Sequence, residues 1–205
     1  MFRNLSEKVA EMLIRSNAIP REEKEIYKYG VQQGSICFLN LLTTFFVGLF
    51  LGTVPESILF MTAYIPLRSF AGGYHAKTSG RCYFLSNVMM IAILWVIRCG
   101  LYSALICSCL MVGSSSIIYC LAPVEDNNKP LDSLEKVVYR KRTRKILLLE
   151  IIVAFVSILL KWKYIALCMT LVLSVMAFML VLGHWKNVYV GRFISHKCLG
   201  TAQRE

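Results

Sequence analysis

The sequence has few charged residues and very few acidic ones. Asp and Glu number 12 against 23 Lys and Arg, and charged residues make up only 17% of the 205 positions. A soluble domain carries roughly 25% charged residues, spread among its apolar ones. Here 57% of the residues are hydrophobic, and three long stretches contain no charge: Gly34–Gly52, Gly100–Ala122 and Tyr164–Gly183. This pattern excludes an ordinary soluble domain.

Paired cysteines and metal-ligand clusters are also missing. The chain has eight cysteines but no CxxC pair, and only three histidines accompany them. The common zinc and dithiol motifs depend on such spacing. Most of the cysteines lie in or beside apolar runs, where cysteine behaves as a small hydrophobic residue. We therefore expect no disulfide framework, no metal and no cofactor.

The first 29 residues lack the uninterrupted apolar core of a signal peptide. Their apolar residues recur at helical spacing: Phe2, Leu5, Val9, Met12 and Leu13. This spacing predicts an amphipathic helix in a cytoplasmic arm over residues 1–29. A helix on the membrane surface and a helix capping the rest of the fold are equally consistent with it.

The apolar runs predict an all-α membrane protein with six transmembrane helices within residues 30–185. A crossing needs ~20 mostly apolar residues, because the hydrocarbon core is ~30 Å thick. The three charge-free stretches meet this length. Three shorter runs supply the other crossings: Val54–Leu67, Tyr83–Ile97 and Ile146–Leu160. A run of about 14 residues, such as Val54–Leu67, also fits a re-entrant segment.

Basic residues alternate between the predicted loops. Of the 23 Lys and Arg, all but Arg98, Lys161 and Lys163 lie in the N-terminal arm, the 68–81 loop, the 123–145 loop or the tail at 186–205. Lys and Arg favour the cytoplasmic side. Both termini and both basic loops are therefore predicted to be cytoplasmic in a multi-pass protein of the cell membrane. The net charge of +11 then indicates contact with anionic lipid headgroups and needs no nucleic-acid partner.

One polar stretch interrupts the apolar pattern, running from Arg68 to Cys82 with glycines at 72, 73 and 80. His75 and Cys82 share a face two turns apart if the segment is helical. If it is a loop, the glycines allow one residue to fold back onto the other. Lys77 and Arg81 add nearby cations, which favour a thiolate. This environment suits a reactive cysteine, although an isolated His and Cys in a basic loop are more often only solvated.

Two segments resemble the accessory gene regulator B (AgrB) family of membrane peptidases. They are Arg68…Gly72-Gly73-Tyr74-His75-Ala76…Cys82 and the Ala-Pro…Pro-Leu loop at 122–131. The resemblance implies a cysteine endopeptidase that cleaves a small AgrD-type propeptide through a thioester and closes a thiolactone or lactone ring. The product is a quorum-sensing autoinducing peptide. The resemblance also implies a homodimer.

The same resemblance implies that Cys82 is the nucleophile and His75 the general base, with Arg68 and Gly73 in support. Arg68 is expected either to bind an acidic substrate tail or to brace the loop. No third catalytic residue or oxyanion hole is evident. Ser79, Ser86 and Asn87 are candidates for orienting the pair because of their spacing. Glu56 and Glu150 are carboxylates within apolar runs, where such groups are commonly functional.

Two other classes of function compete with a peptidase. A small multi-pass transporter or peptide exporter fits the number of crossings, but the longest runs lack the buried charges and broken helices typical of transport sites. A non-catalytic membrane scaffold fits the hydropathy but gives the glycine-framed His75–Cys82 stretch no role.

Overall fold

The computed structural model describes residues 2–74, 78–125 and 132–202, and for residues 2–5, Ser79 and 190–202 it describes the backbone alone. Over these ranges the chain forms seven α-helices and no strand. They are α1 Phe2–Arg15, α2 Lys24–Leu51, α3 Val54–Ala71, α4 Ser79–Arg98, α5 Ala104–Leu121, α6 Ser133–Leu159 and α7 Lys163–Ala202. A short 3₁₀ turn, Arg21–Glu23, precedes α2.

Four segments are long and apolar enough to cross a membrane. They are Arg21–Leu51, Gly80–Arg98, Ala104–Leu121 and Lys163–Tyr189. Large apolar side chains such as Phe50, which is 89% exposed, cover the outer surfaces. Such a surface suits lipid rather than water. The chain is therefore a helical membrane protein with four candidate crossings among the residues described, and the predicted total of six is not confirmed.

The other two predicted crossings are helical but carry more charge. Val54–Leu67 lies within α3 and Ile146–Leu160 nearly coincides with the second half of α6. Each helix continues into residues that the sequence placed in a cytoplasmic loop: α3 runs on through Arg68 to Ala71, and α6 begins at Ser133. A helix can extend beyond a membrane, so the predicted limits of the two crossings stay predictions. Helix α6 begins with a capping box, in which Asp132 and Glu135 satisfy the first free backbone N–H groups.

Helix α7 is the central element and packs against α3, α5 and α6. Leu173, Met176 and Leu180 on this helix are completely buried. One core cluster joins them to residues of α3, α5 and α6, and a second joins Val172 to residues of α3 and α4. The fold thus brings the end of α3, where the polar stretch begins, beside the middle of α7 around Met179 and Gly183.

The predicted N-terminal helix is present as α1, and it packs against α2. Ser6 and Ala10 on its inner face are fully buried, whereas Met12 is 68% exposed. Helix α2 begins at Lys24, within the arm predicted over residues 1–29, and the limits of that arm stay a prediction. Whether α1 also rests on a membrane surface stays a prediction.

Candidate active site

The polar stretch is divided between two helices and the segment that joins them. Arg68 lies in the last turn of α3, and the chain leaves that helix at Gly72, whose φ is +72°. Gly73 follows with φ +115°. Residues with a β-carbon rarely adopt these angles, so glycine is needed at both positions. The glycines thus turn the chain sharply out of α3 toward His75.

Arg68 braces this turn. Its guanidinium donates through Nη1 to the carbonyl of Gly72 and through Nη2 to the carbonyl of Tyr74. The planar fork of arginine can satisfy two acceptors at once, which a lysine ammonium cannot do with the same geometry. Of the two roles expected for Arg68, the described contacts match bracing of the loop.

The turn also pairs with the segment that follows α5. The Val124 N–H donates to the Ala71 carbonyl at 2.9 Å, and the Gly73 N–H donates to the Val124 carbonyl at 3.3 Å. Gly72 and Val124 thereby form a short parallel bridge. A β-carbon on Gly72 would overlap the Val124 carbonyl. The first part of the Ala-Pro…Pro-Leu segment therefore packs directly on the glycine turn, while residues 126–131 lie outside the described residues.

Side-chain contacts hold the glycine turn and the segment that follows α5 in place. The Glu125 carboxylate forms a 2.6 Å ion pair with Lys136 of α6. The Glu125 carbonyl accepts a 2.8 Å hydrogen bond from Asn187 of α7. Lys186 lies over the ring of Tyr74, 5.4 Å from its centroid. The segment after α5 is thus tied to both α6 and α7, and the glycine turn is tied to α7.

The backbone of α7 also supports the glycine turn, in addition to Arg68 and Val124. The Tyr74 N–H donates to the Met179 carbonyl at 2.9 Å. Gly183, one helical turn further along, is buried against the same segment. A β-carbon at Gly183 would stand only 2.7 Å from the carbonyl carbon of Gly73 and 2.7 Å from the Tyr74 nitrogen.

Cys82 lies in the first turn of α4 as a free, half-buried thiol. Thr78 caps this helix, accepting a 3.4 Å hydrogen bond from the Arg81 N–H through its side chain, and its carbonyl accepts one from the Cys82 N–H at 3.1 Å. The N-terminal end of a helix favours a negative charge such as that of a thiolate. The local structure thus supplies the kind of environment that a reactive cysteine needs.

Tyr64 joins this site from α3, although the sequence gave no reason to single it out. Its phenol lies within electrostatic range of both the Arg68 guanidinium and the Cys82 thiol. Its ring stacks on Phe60 with centroids 5.5 Å apart. Tyr64 precedes Arg68 by one helical turn, so a polar pair at i and i+4 on an apolar helix was the available signal.

Only some of the predicted site residues are among the residues that the structure describes. Arg68, Gly73 and Cys82 are described. Arg68 and Gly73 lie where the end of α3 meets α7, and Cys82 lies in the first turn of α4. His75 and Lys77 lie outside the described residues, so the distance between His75 and Cys82 stays a prediction. Ser79 begins α4, with only its backbone described.

Asn87 and Ser86, the other candidate orienting residues, lie one to two turns into α4. The Asn87 amide donates to the Asn40 side chain at 3.1 Å and to the Tyr83 carbonyl at 2.8 Å. The bond to Asn40 ties α4 to α2, and the bond to Tyr83 lies within α4. Ser86 is half-buried, and its proposed orienting role stays a prediction.

Two carboxylates lie within the apolar helices: Glu150 is buried, with 4% of its surface exposed, and Glu56 is half-buried. Both oxygens of Glu150 and one oxygen of Glu56 have no hydrogen-bond partner among the described residues. The same part contains no group of three His, Cys, Asp or Glu side chains that could hold a metal ion.

These features define a class: a helical membrane protein with a free cysteine at a glycine-rich junction between helices. The family model described as Accessory gene regulator B matches residues 6–180, and the chain belongs to this AgrB family. No curated protein and no solved structure matches the chain. Family membership supports a role in the processing of AgrD-type propeptides to autoinducing peptides.

Proposed function

We propose that the protein is a cysteine endopeptidase of the cell membrane that cleaves an AgrD-type propeptide and closes the ring of the autoinducing peptide. The observation that carries the proposal is the position of Cys82, a free thiol in the first turn of α4. The chain leading to it emerges from a turn braced by Arg68 and set by Gly73. Family membership supplies the substrate class.

In the proposed reaction, His75 takes the proton of the Cys82 thiol. The thiolate attacks a peptide carbonyl near the propeptide C-terminus, the C–N bond breaks, and the leaving amine receives the proton from His75. The N-terminal part of the propeptide stays on Cys82 as a thioester. A Cys or Ser side chain of the propeptide then gives its proton to His75 and attacks the thioester carbonyl. The ring forms, and the bond to the Cys82 sulfur breaks and releases Cys82 as the thiolate.

No external energy source is needed for ring closure, because one thioester or ester replaces another. Water would instead hydrolyse the intermediate, so the site must exclude it. Cys82 is half-buried at the start of α4, so the bound propeptide would complete the exclusion of water from its thiol. Ser79 is proposed as a supporting residue through its position at the start of α4.

The proposed placement keeps both termini and the catalytic segment on the cytoplasmic side. Helices α3 and α6 then complete six crossings, and the exposed apolar faces contact lipid. A homodimer remains part of the proposal on the strength of the family resemblance. The cytoplasm also keeps thiols reduced, as the mechanism needs.

Co-expression with a candidate propeptide tests the proposal. Wild type is compared with Cys82→Ala and with the matched control Cys99→Ala, which alters an exposed free cysteine at the opposite end of α4. Mass spectrometry should detect the released C-terminal fragment and the cyclised product for wild type and Cys99→Ala only. Equal processing by an inserted Cys82→Ala protein would refute the proposal.

The buried Glu150 favours a second function, export of the peptide. An unpaired carboxylate among apolar helices is a common mark of a transport pathway. In that case Glu150→Gln should leave propeptide cleavage intact but retain the cyclised product inside the cell. Normal secretion by Glu150→Gln, measured as extracellular product per cleaved propeptide, would argue against export by this chain.

A further inference from the structure

The contact between α7 and the glycine turn depends on a helical glycine. Gly183 is buried in α7, and the backbone of Gly73 and Tyr74 crosses directly over it. A β-carbon at Gly183 would lie 2.7 Å from two of these backbone atoms. Neither neighbour is the end of a flexible side chain, so one of the two backbones would have to move.

Among the other described helical glycines, only Gly48 has a close neighbour, and there an added β-carbon would meet the side chain of Ser57 rather than a second backbone. A β-carbon added to Gly113 in the middle of α5, or to Gly34 in α2, would meet nothing within 4 Å. Glycine is a poor helix former relative to alanine, so its presence in a well-packed helix needs a reason of its own. At Gly183 the reason is the close approach of another backbone.

We propose that Gly183 is a positioning residue of the peptidase site. Because Gly183 has no side chain, the Gly73–Tyr74 backbone can dock on α7, and this docked segment immediately precedes His75 in the sequence. The inference rests on the proposed function, since it assigns Gly183 a role in presenting the general base to Cys82.

The contacts around Gly183 involve three consecutive peptide units. Tyr74 donates its N–H to the Met179 carbonyl of α7 at 2.9 Å. The Arg68 guanidinium binds the carbonyls of Gly72 and Tyr74, one on each side of the peptide unit that crosses Gly183. Lifting the segment off α7 would therefore break the bond to Met179 and disturb the Arg68 brace together.

Gly183→Ala is the direct test, with Gly113→Ala as the matched control. Both add one methyl group to a glycine of an apolar helix, but only the first meets the turn. We expect kcat for propeptide processing to fall on the order of 10- to 100-fold in Gly183→Ala, as for a small misplacement of a catalytic group. KM should stay within about twofold, because the substrate-binding surfaces are unchanged.

A chemical readout separates positioning from a general structural role. Alkylation of Cys82 at neutral pH, followed by mass spectrometry of the Cys82 peptide, reports on thiolate formation without any substrate. Gly183→Ala should be alkylated more slowly than wild type and Gly113→Ala. Equal kcat and equal alkylation in the two glycine variants would overturn the inference.

The two proposals fail in different ways. If wild type processes no propeptide while Gly183→Ala still alters Cys82 alkylation, the peptidase assignment is wrong and the docking of the turn stands. If the Gly183→Ala protein does not accumulate in the membrane, hydrogen exchange on the wild-type protein tests the docking of the turn instead. The Tyr74 amide should exchange slowly because it is bonded to Met179, and exchange at the rate of an open loop would overturn the inference.

Discussion

The guanidinium of Arg68 donates a hydrogen bond to the carbonyl of Tyr74, the residue that immediately precedes His75. A second bond to the Gly72 carbonyl uses the other arm of the same fork. Arg68 thereby fixes both ends of the glycine turn from the last turn of α3. This arrangement gives a physical reason for an arginine, rather than any cation, at position 68.

Arg68→Lys should therefore impair processing although it keeps the charge. Lysine lacks the planar fork, so at least one of the two carbonyls loses its partner, at a cost of about 1–3 kcal/mol. We expect kcat to fall by roughly 5- to 150-fold, measured by release of the propeptide fragment. Arg98→Lys is the control, since Arg98 makes a single 3.0 Å bond to the Leu51 carbonyl. Unchanged kcat in Arg68→Lys would contradict the bracing role.

Gly72→Ala should abolish processing. The residue has φ +72°, and an added β-carbon would overlap the Val124 carbonyl, so the turn and its bridge cannot both persist. Gly34→Ala, where the added carbon meets nothing within 4 Å, should keep wild-type activity. The assay compares product per inserted protein, and an active Gly72→Ala would show that the pairing with Val124 is dispensable.

Tyr64→Phe tests whether the phenol assists the thiol. The phenylalanine keeps the ring that stacks on Phe60 but removes the hydroxyl near Arg68 and Cys82. We expect kcat to fall roughly 10-fold with little change in KM, in the range of a lost electrostatic contribution. Tyr164→Phe alters an exposed residue near the start of α7 and should have no effect. A wild-type kcat for Tyr64→Phe would remove Tyr64 from the site.

The six-crossing arrangement predicts that α6 has its ends on opposite sides of the membrane. In a Cys99→Ser background, a membrane-impermeant maleimide applied to intact cells should label Lys161→Cys, beyond the end of α6. It should label Leu134→Cys, at the start of α6, only after permeabilisation. Both positions are exposed. Labelling of both from the same side would rule out a crossing by α6.

Much of the fold could be predicted from hydropathy, because a charge-free run of sufficient length has few alternatives to a crossing. Gly34–Gly52, Gly100–Ala122 and Tyr164–Gly183 are contained in or nearly coincide with helices that qualify as spans. The helical extension of α6 back to Ser133 was missed because its charged residues suggested a loop. The Asp132–Glu135 spacing was the signal that a helix begins there.

The candidate site was only partly predictable for a different reason. The glycines at 72 and 73 and the nearby Arg68 are adjacent in sequence, so a bent, braced segment was foreseeable. Val124 and Gly183 reach it from distant parts of the chain. Apolar periodicity says which residues are buried but not which helices meet. Gly183 accordingly looked like the end of an apolar run, and its contact with Gly73 could not be inferred.

The central claim is that Cys82 carries the propeptide as a thioester. The most direct measurement uses a propeptide whose ring-closing Cys or Ser is replaced by Ala, so that the acyl-enzyme accumulates. Mass spectrometry of the protein should then show an adduct on the Cys82 peptide that hydroxylamine removes. An adduct on another residue, or ring formation by the intact propeptide with Cys82 replaced by Ala, would contradict the account.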